Sequence, residues 1–225
     1  MIESASGATR GESPRVAFIT CAELPDGAIG EVWLQGNNVG RGYWGRPDET
    51  ELTFHARLHS RLDEGSRAEG SAAGGPWLRT GELGVFLDGE LYITGRMADL
   101  VIVDGIVHYP QDLEATATEA SPMVRRGYVT AFSVPATELP AAAADSGASD
   151  GGQRLVFVAE RAAGTGRENP RPAIEAIRAA VSRRHGLAVV DVRFLPAGGI
   201  PRTTSGKLAR RACRAEYLGG ALGGR

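Results

Sequence analysis

The sequence predicts an α+β fold in two parts, a small β-rich part followed by a compact part in which strands and helices alternate. An Asp-Gly pair at the centre of the apolar run Val85–Ile93 is typical of a β-hairpin. After Asp99, short apolar runs alternate with segments of helical periodicity. With 42% hydrophobic residues among 225, the chain can bury a core. We therefore predict a barrel-like β subdomain over residues 15–99 and an α+β domain over residues 100–225.

The first part is predicted to be rich in β-strands. Residues 1–14 are polar and are expected to lack fixed structure. Alternation over residues 16–20 and the run 31–34, which follows a Pro-Asp-Gly turn, each indicate a strand. Residues 59–75 are rich in glycine, serine and charge, which is typical of a surface loop.

The second part is predicted to hold four strands and three helices. The helices begin at Pro110, Pro170 and Ser205, and Asn169 and Gly186 are the cap signals of the second helix. Residues 136–153 are rich in Ala, Ser, Gly and Asp and are expected to be a flexible insertion. The predicted strands cover residues 100–103, 128–134, 155–160 and 189–195, and the predicted helices cover 110–121, 170–185 and 205–217.

Composition argues against several classes of function. A net charge of −2 and a pI near 6.1 give no basic footprint for nucleic acid. No apolar run has the length of a membrane span and the N-terminus lacks a signal pattern, so a cytoplasmic protein is expected. Cys21 and Cys213 are expected to be unpaired reduced thiols, and no metal site is predicted.

Residues 200–210 read Ile-Pro-Arg-Thr-Thr-Ser-Gly-Lys-Leu-Ala-Arg and carry the strongest chemical signal. Among 25 lysine and arginine residues, Lys207 is the sole lysine, so surface charge alone does not explain it. A lysine is a compact charge on a flexible stem, suited to reaching between two anionic groups. The pattern predicts a mobile electrostatic catalyst, although a Gly-Lys pair without this context is ordinarily a solvated helix position.

Three further segments carry candidate binding residues. In residues 77–84, Glu82 follows a glycine turn at the start of a predicted strand, where a carboxylate can accept both hydroxyls of a ribose. Arg96 follows the hairpin and can contact ribose or phosphate, and residues 30–44 form a strand that leads into a glycine-rich loop. Each has an ordinary alternative, such as a solvated carboxylate, a surface ion pair or a simple turn.

In this order and spacing, the four segments resemble the C-terminal half of the adenylate-forming ligases. That superfamily contains acyl-CoA synthetases, nonribosomal peptide adenylation domains and luciferases, and the likeness runs from about residue 15 to 220. Residues 103–105 and 108–114 resemble the fatty acyl-AMP ligases within it. Residues 121–127 and 210–214 strengthen the likeness to the actinobacterial branch that handles very long chains.

The resemblance implies roles for particular residues. Glu82 falls where the family has a ribose-binding aspartate, and this departure adds one methylene of reach. Arg96 matches an arginine near ribose and phosphate, and Lys207 matches a lysine that swings into the site for adenylation. Ala98 falls where many relatives have Asp or Lys as the hinge between domains, with Asp99 beside it. The remaining implied positions are on a loop of the C-terminal domain, at Gly105 and His108.

The implied reaction is the activation of a fatty acid with ATP, giving an acyl-adenylate that is passed to an acyl carrier protein of a polyketide synthase. The resemblance implies Mg²⁺ on the triphosphate, but no protein ligand for it is recognisable. The family's phosphate loop, adenine-binding strand and acyl tunnel belong to a larger N-terminal region that this chain lacks. The isolated chain, as part of an ATP-dependent ligase, is therefore expected to be inactive.

Two alternatives stay open. One is a fragment of a long-chain acyl-CoA synthetase, in which free CoA accepts the acyl group. The other is a non-catalytic module that docks a carrier protein or a partner subunit. In that case the surface arginines Arg125, Arg126, Arg183 and Arg184 would steer an acidic carrier. The same arginines are otherwise a solvated face.

Overall fold

The computed structural model describes residues 15–17, 23–58, 74–140 and 152–222. The chain divides into two compact units, Met1–Ala98 and Asp99–Arg225. Both sheets and helices are present, and the α+β class is confirmed. Several predictions concern residues outside the described ranges: the N-terminal segment 1–14, Cys21, most of the loop 59–75 and most of the insertion 136–153.

The first unit contains an antiparallel sheet whose strands follow chain order. The strands are β1 (Arg15–Ala17), β2 (Gly30–Leu34), β3 (Leu78–Leu87) and β4 (Glu90–Arg96). The predicted hairpin is confirmed: Asp88 (φ 52°) and Gly89 (φ 80°) form the two-residue turn between β3 and β4. Because β1 and β4 are the edge strands, the described sheet is open, and the expected barrel-like closure is not formed by these strands.

A helix, α1 (Pro47–Phe54), lies between β2 and β3, in a part that was predicted to be rich in β-strands and for which no helix was predicted. Pro47 at its first turn and the acidic Asp48 and Glu49 are ordinary helix-start signals. None of its residues is buried, so the sequence shows no apolar periodicity there. The β-rich prediction for this part did not include this helix.

The second unit follows the predicted alternation of strands and helices. Its elements are β5 (Val101–Val103), β6 (Ile106–His108), α2 (Pro110–Ala120), β7 (Val124–Pro135), β8 (Gln153–Arg161), α3 (Arg171–His185), β9 (Val189–Leu195) and α4 (Arg210–Leu218). Strand β8 pairs antiparallel with β7 and parallel with β9, and α3 makes the crossover. Helix α3 ends at Gly186, which adopts the left-handed conformation (φ 69°) as predicted.

Strand β8 is the centre of the second unit's core. Leu155 and Phe157 belong to a buried cluster with residues of α2 and α3, whereas Val156 and Val158 belong to a second cluster that includes Cys213 of α4. The side chains of these four residues of β8 are fully buried. Alternating side chains thus face two apolar layers. The second layer fixes the segment that precedes residue 202, because Ile200 is part of it and is only 2% exposed.

The last helix begins five residues later than predicted. Residues 202–208 form a tight loop closed by an antiparallel bridge between Arg202 and Leu208. Gly206 adopts φ 81°, the Thr203 N–H donates to the Lys207 carbonyl (2.8 Å), and the Gly206 N–H donates to the Thr203 carbonyl (2.9 Å). Such local hydrogen bonds compete with helix formation. Lys207 therefore lies on a loop and not in a helix.

Candidate active site

The lysine loop, residues 202–208, has a fixed backbone and a free catalytic candidate. The loop is held by side-chain contacts as well as by its backbone hydrogen bonds. The Thr203 hydroxyl accepts a hydrogen bond from the Lys207 N–H (3.1 Å) and lies 3.0 Å from the Ser205 hydroxyl. The Arg202 guanidinium donates to the Gly206 carbonyl. Lys207 is exposed, and no described residue makes a hydrogen bond or ion pair with its ammonium group. The loop therefore presents a mobile positive charge on an ordered base.

A buried carboxylate anchors the N-terminal side of the lysine loop. Glu160 is fully buried, and its Oε1 accepts the Ile200 N–H at 3.2 Å. Its Oε2 lies 2.6 Å from Nη1 of Arg125, which supplies the pairing that a buried charge requires. The ring of Tyr128 lies between two guanidinium groups, 3.5 Å from Arg125 and 4.3 Å from Arg202. Arg202 is thus held on an aromatic platform next to Glu160.

Arg210 anchors the C-terminal side of the loop. Its Nε and Nη2 donate to the two oxygens of Glu114, each at 2.7 Å, and its Nη1 lies 3.3 Å from Oδ2 of Asp99. The hydrogen bonds to Glu114 are the main reason why the pKa of Arg210 is raised above its usual value. The loop that carries Lys207 is consequently tied to the first residue of the second unit.

Glu82 and Arg96 lie side by side on two neighbouring strands of the first unit's sheet. They are register partners on β3 and β4, and Nε of Arg96 lies 2.6 Å from Oε1 of Glu82. Glu82 lies inside β3 and not at its start, which corrects the prediction from the glycine turn. The Glu82 side chain is 31% exposed and that of Arg96 is 62% exposed, so both remain accessible to a ligand. The structure therefore brings the two predicted nucleotide-binding residues together.

A residue that the sequence reasoning missed holds this segment in place. The carboxylate of Glu31, which is 7% exposed, accepts hydrogen bonds from Trp33 Nε1 (2.9 Å), Arg79 Nε (2.9 Å) and the Gly81 N–H (3.0 Å). Gly81 adopts φ 71° next to Glu82. The alternation of side chains along a strand could have predicted that Glu31 is buried, because it lies two residues from the buried Trp33 and so points to the same face of β2.

The predicted hinge residues lie at the boundary of the two units. A 3₁₀ turn covers Met97–Asp99, and the boundary falls between Ala98 and Asp99. Ala98 is exposed and has no polar side chain, whereas Asp99 pairs with Arg210 inside the second unit. A hinge function at these residues stays a prediction.

Gly105 and His108 lie on the β5–β6 hairpin. Asp104 (φ 50°) and Gly105 (φ 77°) form its turn, and His108 pairs with Val101. His108 is half-buried, and its Nε2 is buried without a hydrogen-bond partner among the described residues. Their function stays a prediction.

Comparisons with known proteins show which enzymes the chain resembles. No family model matches the chain. It is 52% identical, over 90% of its length, to the long-chain-fatty-acid–AMP ligase FadD32 of Mycolicibacterium smegmatis, and 39% identical, over 92%, to the putative fatty-acid–CoA ligase fadD21 of Mycobacterium leprae. The chain is homologous to the C-terminal portion of the fatty acyl-AMP ligases. The resemblance inferred from the four segments is confirmed.

Solved structures show the same fold. A structure from work on fatty acyl-adenylate ligases of E. coli and L. pneumophila matches 96% of the chain with a TM-score of 0.68 and 24% identity. ATP-bound MatB from Rhodopseudomonas palustris matches 97% with a TM-score of 0.67 and 25% identity. The chain spans about a third of the length of the curated relatives it matches, 33% in both cases given above.

The described residues hold neither a cluster of metal-ligating side chains nor a membrane-spanning helix. Among residues 23–58, 74–140 and 152–222, no group of three or more His, Cys, Asp or Glu side chains is arranged to hold a metal ion. Over the same ranges, no helix combines the length and apolar character of a membrane span.

Cys213 belongs to the apolar core of the second unit. Cys213 is a free, buried thiol that accepts a hydrogen bond from Thr130. Burial raises the pKa of Cys213 to about 11. It is therefore a structural residue of the core and not a nucleophile.

Proposed function

We propose that the chain is the part of a fatty acyl-AMP ligase that delivers Lys207 to the reacting groups, while Glu82 and Arg96 bind the ribose and phosphate of ATP. The whole protein would act in the cytoplasm and convert a long-chain fatty acid and ATP to acyl-adenylate and pyrophosphate. An acyl carrier protein would then accept the acyl group. The observation that carries the proposal is the 52% identity to a long-chain-fatty-acid–AMP ligase over 90% of the chain.

Lys207 suits the chemical problem of this reaction. A fatty carboxylate that attacks the α-phosphorus brings two anionic groups together, and negative charge accumulates on the phosphoryl oxygens. An ammonium group placed between carboxylate and α-phosphate lowers that repulsion and holds the geometry. The lysine loop supports this function because its backbone is hydrogen-bonded whereas the ammonium group is free among the described residues.

Glu82 and Arg96 suit the nucleotide. Ribose hydroxyls are donors that a carboxylate accepts, and a guanidinium fork binds phosphate oxygens. One oxygen of Glu82 is held by Arg96, so the pair is ordered before a ligand arrives. The described residues contain no group of three or more His, Cys, Asp or Glu side chains that could hold a metal ion, and the roles proposed for this chain belong to Lys207, Glu82 and Arg96.

The proposal is tested in a chimera in which the chain replaces the corresponding portion of the M. smegmatis relative. We expect ATP–pyrophosphate exchange that depends on a long-chain fatty acid. Lys207→Ala should lower the exchange rate about 10²- to 10³-fold, as expected for the loss of one preorganised donor. Arg211→Ala is the matched control, since it removes an exposed positive charge just outside the loop and should leave exchange unchanged. Normal exchange by Lys207→Ala would refute the assignment.

An acyl-CoA synthetase is the second candidate, because one relative at 39% identity carries the name of a putative fatty-acid–CoA ligase. The active chimera can be supplied in parallel with free CoA and with an acyl carrier protein. Transfer to the carrier alone supports the acyl-AMP ligase, whereas rapid formation of acyl-CoA supports the second candidate.

The non-catalytic docking alternative has less support in the structure. Of the four arginines it invokes, Arg125 pairs with the buried Glu160, and Arg184 pairs with Glu119. Two of the four guanidinium groups are therefore already engaged within the unit.

A further inference from the structure

On its C-terminal side, the lysine loop is joined to the core through the side chain of Arg210. Arg210 follows Lys207 by three residues and is the first residue of α4. All three of its guanidinium nitrogens are engaged, two by the carboxylate of Glu114 at 2.7 Å and one by Asp99 at 3.3 Å. Three simultaneous contacts with two carboxylates require the planar fork of an arginine.

The partner of Arg210 is itself fixed. Glu114 is 8% exposed on α2, and its Oε1 also accepts the N–H of Ala131 on β7 at 3.1 Å. Its neighbour Leu113 is fully buried in the core. Arg210 therefore reaches a carboxylate that cannot shift without disturbing both α2 and the sheet.

The start of α4 has few other restraints. Its N-cap residue, Ala209, provides no side-chain cap, although the Ala209 N–H donates to the Pro201 carbonyl at 2.9 Å. Helix starts leave unsatisfied N–H groups and fray when they are not held. Only Leu208 and Ala209 separate Lys207 from Arg210. A displacement of Arg210 therefore changes the direction in which the Lys207 side chain projects from the loop.

From these contacts we infer that Arg210 is a positioning residue for Lys207, and that it couples the lysine loop to Asp99 at the start of the second unit. The inference rests on the proposed function, because positioning has meaning only if Lys207 acts in adenylation. Arg210 acts through Lys207 and contacts no substrate. Asp99 supplies a polar contact beside Ala98, which cannot make one.

A double-mutant cycle in the chimera separates positioning from simple stability. Arg210→Lys keeps the charge but cannot make the three contacts, and we expect it to lower the exchange rate by about tenfold or more. In a Lys207→Ala background the same change should have less than about a twofold effect, because the group being positioned is absent. Arg184→Lys, at an exposed pair with Glu119, is the matched control and should change neither background.

Equal losses from Arg210→Lys in both backgrounds would overturn the inference, since they would show a role that is independent of Lys207. A Lys207→Ala variant with normal exchange would instead refute the proposed function, so the two failures are distinguishable. The thermal unfolding of each variant is measured alongside.

A second variant covers the case in which Arg210→Lys does not fold. Asp99→Asn leaves the half-buried pair of Arg210 and Glu114 intact, and it should still lower exchange by about threefold with Lys207 present and not without it. In the 225-residue chain, a lysine-specific protease can cut only after Lys207. Faster cleavage of Asp99→Asn than of the parent supports coupling to the loop, and an unchanged cleavage rate together with unchanged exchange would overturn it.

Discussion

Replacement of Glu31 by glutamine should loosen the segment that carries Glu82. In the parent chain, one carboxylate accepts three donors: Trp33 Nε1 and Arg79 Nε on one oxygen and the Gly81 N–H on the other. A glutamine amide has one accepting oxygen, so its NH₂ group must face at least one of these donors. Trp33 is 1% exposed, so an unpaired indole N–H there has no solvent to replace the lost acceptor.

The size of the effect follows from these contacts. One unsatisfied buried donor costs about 1–3 kcal/mol. The lost ion pair with Arg79 adds less than about 1 kcal/mol, because that side chain is 40% exposed and is screened by solvent. We expect Glu31→Gln to lose about 2–3 kcal/mol of unfolding free energy, which corresponds to a urea midpoint lower by about 1 M.

Tryptophan fluorescence measures this loss in the relevant unit, because all 3 tryptophans lie before residue 98. Glu49→Gln is the matched control, since Glu49 is exposed on α1 and should change stability by less than about 0.5 kcal/mol. In the chimera, a displaced Glu82 should raise the KM for ATP by about fivefold. A Glu31→Gln midpoint equal to that of the parent would refute the anchoring argument.

Two further predictions concern the second unit. Tyr128→Leu removes the ring between Arg125 and Arg202, so the lysine loop should open more often. A lysine-specific protease should then cut after Lys207 at least about threefold faster than in the parent. An unchanged cleavage rate would show that the stack does not hold the loop. For Cys213, whose pKa of about 11 lies above its usual value of 9.0, the thiol form stabilises the fold fully below pH 9, and this contribution is lost as the pH rises through 11. Between these limits the parent should lose about 2 kcal/mol more unfolding free energy than Cys213→Ala, and parallel pH profiles would contradict the burial of the thiol.

Local chemistry made much of the fold predictable. The Asp-Gly turn between β3 and β4 requires positive φ at two positions, which that pair tolerates. The end of α3 was predicted at Gly186 for the same reason. Strand β9 was predicted with its observed bounds, Val189–Leu195. In each case the signal lies within a few residues of the feature that it specifies.

The features that were missed depend on long-range contacts or on competing local bonds. Helix α1 buries no side chain, so no periodic pattern marks it. The start of α4 was misplaced because the hydrogen bonds of Thr203 close a loop within a segment of helical composition. The partners Glu160 and Arg125 lie 35 residues apart, and Arg210 lies 96 residues from Glu114. Sequence order alone does not bring such pairs together.

For the candidate site, residue types and their order along the chain predicted which side chains carry the chemistry. Lys207, Glu82 and Arg96 were selected by residue type and by a family resemblance, and the structure pairs the last two across a hairpin. What holds them in place, namely Glu31 beneath one segment and Arg210 beside the other, became visible only from the folded chain.

The proposed function depends on the ammonium group at position 207, which we propose accelerates adenylation. In the chimera, Lys207→Cys should lower ATP–pyrophosphate exchange about 10²- to 10³-fold. Treatment with 2-bromoethylamine converts that cysteine to an aminoethyl thioether, which restores an ammonium group at nearly the length of lysine; the parent, treated in the same way, is the control for the other cysteines. We expect at least about a tenth of the lost rate to return. Exchange by the untreated cysteine variant at the rate of the parent would contradict it.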